Sequence, residues 1–242
     1  MVLLDDTLQR TAASPGTAVM QGFAGPLRPN PGSPAIEFTA EKVQDAAARF
    51  PGCRVTVLNF ASGVTPGGGV RRGAEGQEED LCRCSGLLHG LESLPQFYAQ
   101  NRSSTAPPEC VDAMIVSRDV PLVRTSVGAL VEPPVSINVL TYPAPNATRE
   151  EFRRLRDVKR DAVLGAIFER RCAHVVHQAT VVGTDVLILG PWGCGAYGND
   201  PWVVAKAFKA AVGQYGGGIV LVLFACFGPM DNREAFREVL AL

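Results

Sequence analysis

Twice in this 242-residue chain an apolar, strand-like run empties into a glycine-rich loop that opens a helix, and that recurrence restricts the fold more than any other feature. Val55-Thr56-Val57-Leu58 leads into Asn59-Phe60-Ala61-Ser62, then Pro66-Gly67-Gly68-Gly69, then Gln77-Glu78-Glu79-Asp80 at the head of a helix-like stretch ending near Leu94. Asp185 to Leu189 leads into Gly190-Pro191-Trp192-Gly193-Cys194-Gly195-Ala196-Tyr197-Gly198-Asn199-Asp200, and a helix over 201–214 follows. Its continuous apolar character is that of a strand covered on both faces. A further strand, Ile219 to Ala225, and a last helix to Leu240 keep the alternation going through the second half. Alternation of this kind implies an α/β fold with a mixed, largely parallel sheet. At 46% apolar residues the chain can bury a full core without disulfides or a metal.

The remaining pattern gives further expectations. A short helix is expected over 5–13, a loop over 14–34 and a helix from Glu41 to Phe50, stopped by Pro51-Gly52. Short strands are expected at 113–116 and 120–123 with Ser117-Arg118-Asp119 as the turn between them. Ser103 to Pro108 reads as loop, and Pro133-Pro134 as a break before a strand from Val135 to Tyr142. Thr148 and Glu151 match a capping box opening one long helix to about Ala173, and Asn232 or Asp231 is the expected cap of the last helix. The implied domain plan is an N-terminal extension over 1–50 packed on a core domain over 51–242.

Several function classes fall away. The net charge of −1 supplies no global field for nucleic acid, so no sequence-specific nucleic-acid binding is expected. The longest apolar run, Ile219 to Phe227, is too short to span a membrane, and Met1 to Asp6 lacks the basic start of a signal peptide. Seven irregularly placed cysteines fit reduced thiols in the cytoplasm, with no zinc-finger spacing. His174 and His177, three apart, read as ordinary helix histidines, and no metal site is expected. Arg153-Arg154, Arg156 and Lys159-Arg160 read as a solvated helix face. There is no Walker loop and no Gly-x-Ser-x-Gly elbow.

The chemistry concentrates in the two loops. Three consecutive glycines let the backbone reach positive φ and lie flush against a ligand, and a helix start adds N–H groups and partial positive charge. Gly193-Cys194-Gly195-Ala196-Tyr197-Gly198 satisfies G-x-G-x-x-G, but no carboxylate stands about twenty residues on to meet a ribose, which argues against a dinucleotide site. Glycine N–H groups at a helix start still suit a diphosphate, with Tyr197 placed to lie over a ribose or to shield the diphosphate. A tight strand-to-helix turn is the plainer reading of the same residues. Phe227, closing the last strand, suits either adenine stacking or the core.

Taken together, the residues from Asn59 to Ser62, Pro66 to Gly69 and Gln77 to Arg83, with Trp192 to Tyr197, resemble the signature of poly(ADP-ribose) glycohydrolases, the bacterial-type branch above all. The match runs over roughly Val55 to Phe227. The resemblance implies a macrodomain-like three-layer α/β/α fold with an N-terminal extension. It also implies cleavage of ribose–ribose O-glycosidic bonds in poly(ADP-ribose), with no cofactor. Under it, Glu79 is the catalytic glutamate and Glu78 helps to position the ribose. Gly67, Gly68 and Gly69 cradle the scissile ribose and diphosphate, with Asn59, Ser62 and Gln77 beside them. Gly193, Cys194, Gly195, Ala196, Tyr197, Gly198 and Asn199 form the diphosphate loop, where Tyr197 replaces the family's usual phenylalanine. The implied partners are poly(ADP-ribose), ADP-ribose and poly(ADP-ribosyl)ated proteins, and the implied setting is reversal of ADP-ribosylation in the DNA damage response. Adjacent carboxylates leave a helix about 100° apart and cannot face each other across a bond, so either one carboxyl does both jobs or the substrate helps; the resemblance implies the former, with Glu79 acting as acid and then as base. A carboxyl walled by glycines near phosphate charge should hold its proton to higher pH. An ADP-ribose-binding module without turnover, or a hydrolase of single ADP-ribosyl groups, would carry the same loops.

Overall fold

The computed structural model describes residues 2–10, 17–21, 27–103 and 112–242. In chain order the elements are α1 (Val2–Arg10), β1 (Thr17–Gln21), β2 (Ala35–Thr39), α2 (Val43–Ala48), β3 (Val55–Phe60), α3 (Gln77–Cys84), α4 (Leu87–Glu92), α5 (Pro95–Ser103), β4 (Ala113–Arg124) and β5 (Leu130–Tyr142). They continue with α6 (Glu150–Arg153), α7 (Asp157–Val181), β6 (Val186–Leu189), α8 (Pro201–Tyr215), β7 (Leu221–Ala225) and α9 (Met230–Leu240). The chain divides into two compact units, one built from residues 2–10, 17–21, 41–103 and 112–143, the other from 27–40 and 144–242.

In the first unit the strands lie in the order β1, β4, β5, β3. β4 pairs antiparallel with both neighbours, and β3 runs parallel to β5 from Val55 opposite Ile137 to Phe60 opposite Tyr142. β3 is buried from Val55 to Asn59, with Thr56 and Asn59 as polar residues among the apolar ones. Helix α1 is tied to α3 and β4: the Thr7 hydroxyl donates to Arg83 O at 2.7 Å, and Arg124 pairs with Asp6.

Three expectations are corrected in this unit. The two short strands around Ser117-Arg118-Asp119 are one strand, β4. The register shifts between Ser117 and Val120 and Asp119 takes φ +54°, so the turn-like residues form a bulge rather than a turn. Pro133-Pro134 does not precede β5 but lies inside it. The prolines fall between the pairs Leu122–Val135 and Arg124–Leu130, where the ladder is shifted and no regular N–H is required. The helix expected to run on from Gln77 to Leu94 stops at Cys84. Ser85 donates back to Leu81 O at 2.7 Å, and its backbone turns out to bridge Leu122. The structure also adds β1, β2 and α5, which the pattern did not suggest. Most of the Ser103–Pro108 loop lies outside the described residues.

In the second unit β7 lies between β6 and β2 and is parallel to both. An aromatic column fills its core. Phe168 meets Trp192 at 5.7 Å, Trp192 meets Phe208 at 6.2 Å, Phe208 meets Phe224 at 6.1 Å and Phe224 meets Phe236 at 5.5 Å. Helices α7, α8 and α9 thus pack on β7 through one continuous set of rings. Asp200 caps α8 by accepting from Trp202 N at 2.8 Å, with Pro201 in the first turn as expected.

Two caps differ from expectation. Thr148 opens no capping box: its hydroxyl donates to Asn146 Oδ1 at 2.7 Å, which spends it on a local turn. The helix begins beyond it as the short α6, and the long helix is α7, which runs eight residues past Ala173 to Val181. Pro229 occupies the cap position of α9, so Asp231 and Asn232 lie inside its first turn. Among the described residues no helix is long and apolar enough to cross a membrane.

Candidate active site

Strand β3 delivers the chain to the first site, and Gln77 pins the following helix onto it. Gln77 Oε1 accepts from Phe60 N at 2.8 Å and its Nε2 donates to Leu58 O at 2.9 Å, so a side-chain amide pairs with the strand as another backbone would. Asp80 holds the same turn of α3 from the other side, accepting from Lys42 Nζ at 2.6 Å and Arg83 Nη1 at 2.9 Å. With both flanks fixed, Glu78 and Glu79 leave the helix in set directions.

Glu78 is 3% exposed. Its Oε2 accepts from Ser62 N at 2.7 Å and its Oε1 from Asn59 Nδ2 at 3.2 Å. Among the described residues no ion pair to it occurs. Burial pushes its pKa up to about 8; the bonds from Ser62 and Asn59 pull the other way without cancelling that, and the neighbouring Glu79 charge adds to the rise.

Glu79 is half-buried and sits in a slot made of glycine. Its Oε1 accepts from Gly69 N at 2.9 Å. A Cβ at Gly68 would lie 2.4 Å from that oxygen and 3.2 Å from Glu78 Oε2, and one at Gly76 would lie 2.5 Å from Glu79 Oε2. The backbone at Gly68 therefore passes between the two carboxyls, at φ +58°. The N–H groups of the triplet are committed inside the site. Gly67 N reaches Glu78, Gly68 N donates to Thr65 O at 3.1 Å, and Gly69 N serves Glu79. The expected cradle thus wraps the acids themselves.

Asn59 and Ser62 likewise build the turn. Asn59 is fully buried and also donates to Thr141 Oγ1 at 3.2 Å, while its Oδ1 has no hydrogen-bond partner. Ser62 Oγ accepts from Thr65 N at 3.1 Å. The sequence reading missed Asn101 and Arg102 on α5. Asn101 Nδ2 donates to Gly63 O at 2.8 Å and Arg102 Nη1 to Val64 O at 2.5 Å, so α5 braces the segment that carries Ser62. No local pattern marks an asparagine within a helix as a loop brace.

The second loop lies in the other unit. Trp192, fully buried in the aromatic column, anchors it from below. Gly193 and Gly198 take φ +75° and +64°. Within the turn Cys194 N bonds Pro191 O at 3.1 Å and Gly198 N bonds Gly195 O at 2.9 Å, while Gly195 and Ala196 are exposed. Asn199 Nδ2 ties the turn together by donating to Gly193 O at 2.9 Å and Pro145 O at 2.7 Å, and its buried Oδ1 is left without a partner. Tyr197 is half-buried. Burial pushes the Cys194 thiol well up, so it is no ready nucleophile. Phe227, just past β7, is 56% exposed, which removes the core reading of that residue. His174 is buried and His177 packs edge-on against Tyr215 at 6.4 Å. No cluster of three or more metal-ligating side chains occurs among the described residues.

Residues 7–125 match the family model of the microbial-type PARG catalytic domain. No curated protein matches by sequence. Among solved structures, poly(ADP-ribose) glycohydrolase from Deinococcus radiodurans in complex with ADP-ribose is 33% identical, with a TM-score of 0.82 over 98% of this chain and 96% of that one. The enzyme from Thermomonospora curvata is 34% identical, with a TM-score of 0.79 over 98% of this chain and 88% of that one. The same Thermomonospora protein bound to the inhibitor ADP-HPD aligns at 32% identity, a TM-score of 0.78 and the same coverage. The α/β class expected from the strand–loop–helix recurrence is that of these macrodomain-like structures. With a third of its residues identical over nearly its whole length, the chain belongs to the microbial-type poly(ADP-ribose) glycohydrolase family.

Proposed function

We propose that this protein hydrolyses the ribose–ribose O-glycosidic bond of poly(ADP-ribose) and releases ADP-ribose, with Glu79 as the catalytic acid and then base. One observation carries the assignment of roles: Glu79 is half-exposed in a slot of glycines while its neighbour Glu78 is buried, which pushes its pKa up. Glu79 gives its proton to the bridging oxygen as the bond from the ribose anomeric carbon to that oxygen breaks. The leaving ribose departs as an alcohol. The electron-poor carbon left behind is oxocarbenium-like, and the substrate's own diphosphate offsets its charge. Glu79, now a carboxylate, takes a proton from water as the water oxygen bonds that carbon, and so returns to its starting form. Glu78 positions the ribose. In the second unit, the turn from Gly193 to Gly198 offers exposed backbone to a diphosphate, and exposed Phe227 offers a ring to adenine.

Poly(ADP-ribosyl)ated proteins are then the upstream partners, reversal of ADP-ribosylation after DNA damage is the setting, and the cytoplasm is the compartment. The six free cysteines of the described residues support a reducing environment. Replacing Glu79 with glutamine keeps the shape and removes the proton. ADP-ribose release from polymer should fall about 1,000-fold, within the range typical of lost acid–base catalysis, while calorimetric binding of ADP-ribose persists. Undiminished turnover would refute the role. If the wild-type protein binds ADP-ribose and releases none from polymer, the chain is a binding module. Release from singly modified protein alone would make it a mono-ADP-ribosyl hydrolase.

A further inference from the structure

The wall of the second glycine turn runs straight on into a set of cations. A Cβ at Gly193 would lie 2.6 Å from Ala144 Cβ, Pro145 O accepts from Asn199, and Ala147 N donates to Tyr197 O at 2.9 Å. Residues 144–147 are thus one side of the turn. From there the chain passes through α6 into α7, and residues 149–161 contain six cations against four carboxylates. The pairing among them is uneven. Arg154 pairs with Glu150, Arg149 stands 3.4 Å from Glu151, and Arg160 stands 3.3 Å from Asp157. Arg153, Arg156 and Lys159 are exposed and have no ion-pair partner among the described residues. Val158, between the last two, is 86% exposed.

We propose that Arg153, Arg156 and Lys159 form a secondary subsite for the phosphates of further ADP-ribose units, so that the protein holds a stretch of polymer and not only the unit being released. This rests on the reading of the Gly193–Gly198 turn as a diphosphate site. Each polymer unit brings two phosphates, whereas the chain's net charge of −1 gives no general attraction. Attraction must come from a local patch, and of the six cations in the segment that leaves the wall of the turn these three are exposed and have no ion-pair partner among the described residues. Exposed arginine and lysine hold phosphate in water with modest strength per contact, so the effect should be additive, salt-dependent and blind to the end unit. The exposed Val158 methyls offer a neighbouring apolar surface to a base or ribose.

The test is the triple variant Arg153→Glu, Arg156→Glu, Lys159→Glu in the full chain. All three side chains are exposed, so folding should be kept, and an unchanged unfolding curve verifies it. For long polymer, KM should rise about tenfold with kcat unchanged, and the slope of log KM against log salt should shrink by about two, from three lost contacts at the single-strand slope. KM for the shortest cleavable chain and the calorimetric affinity for ADP-ribose should not move. Unchanged KM and salt slope on long polymer overturn the proposal. So does an equal loss on ADP-ribose, which would put the cations at the terminal unit, and so does competition by single-stranded DNA as strong as that by polymer. Failure of the functional reading looks different: the wild-type protein itself would not cleave polymer.

Discussion

A methyl group on residue 68 would lie 2.4 Å from Glu79 Oε1 and would have to be held at φ +58°. No relaxation of one side chain removes both problems, because Glu79 is fixed by Gly69 N and Glu78 by Ser62 N. Gly68→Ala should therefore lower stability by about 1–3 kcal/mol, the range for an alanine in a strained left-handed site. The larger effect falls on turnover, since the displaced group is the acid; a loss of at least 100-fold is expected from misplacing a reacting group by about an ångström. Steady-state release of ADP-ribose from polymer, with a urea melt alongside, checks both numbers. The reactive residue types were legible from sequence because their chemistry is carried by identity: three glycines and a glutamate pair announce themselves. Their contacts were not. That the N–H groups of Gly67 and Gly69 turn toward the acids depends on where α3 lands against β3, which no local pattern encodes.

Helix α5 shows how an element far from the chemistry sets it. Asn101 is 3% exposed and donates to Gly63 O, next to the residue whose N–H holds Glu78. Asn101→Ala leaves a buried carbonyl unpaired at a cost of about 1–3 kcal/mol. If α5 is a strut, kcat should fall about tenfold through misplacement of the turn, with ADP-ribose affinity changing little. Asn101→Asp, which keeps the shape but not the donor, should do no better. An effect confined to the melting curve would mark Asn101 as merely structural. The elements that could be read in advance share a trait: β6 and β7 are unbroken apolar runs, β3 is apolar at Val55, Val57 and Leu58, and α8 begins with an aspartate and a proline. Those that could not are defined by distant partners. β2 lies in a proline- and glycine-rich region and is a strand because Ala35 to Thr39 pair with Leu221 to Ala225. β4 reads as two pieces because Asp119 sits at a bulge, and the bulge exists only against β5.

For the molecule as a whole, Glu78 links activity to stability. Its pKa is raised by burial from 4.5 to about 8. The folded state therefore binds a proton that the unfolded state has lost between those values, and stability falls as pH rises through that window. The full effect of that rise would be on the order of 5 kcal/mol, lost between about pH 4.5 and 8. Glu78→Gln cannot ionise, and Asn59 can turn its unpartnered Oδ1 toward the new amide. The variant should flatten the pH dependence, gain stability relative to the wild type at pH 8 and lose turnover. Chemical unfolding at pH 5, 7 and 8.5 would show it; parallel curves for the two proteins would remove Glu78 as the cause. The same wiring has a practical meaning for protein engineering. Since the amides of Gly67 and Gly69 are taken up by side chains from the helix behind them, the glycine loop grafted alone onto another scaffold would arrive without the groups that give it shape. Strand end, loop and helix start are a single cassette, and they can be transplanted only together.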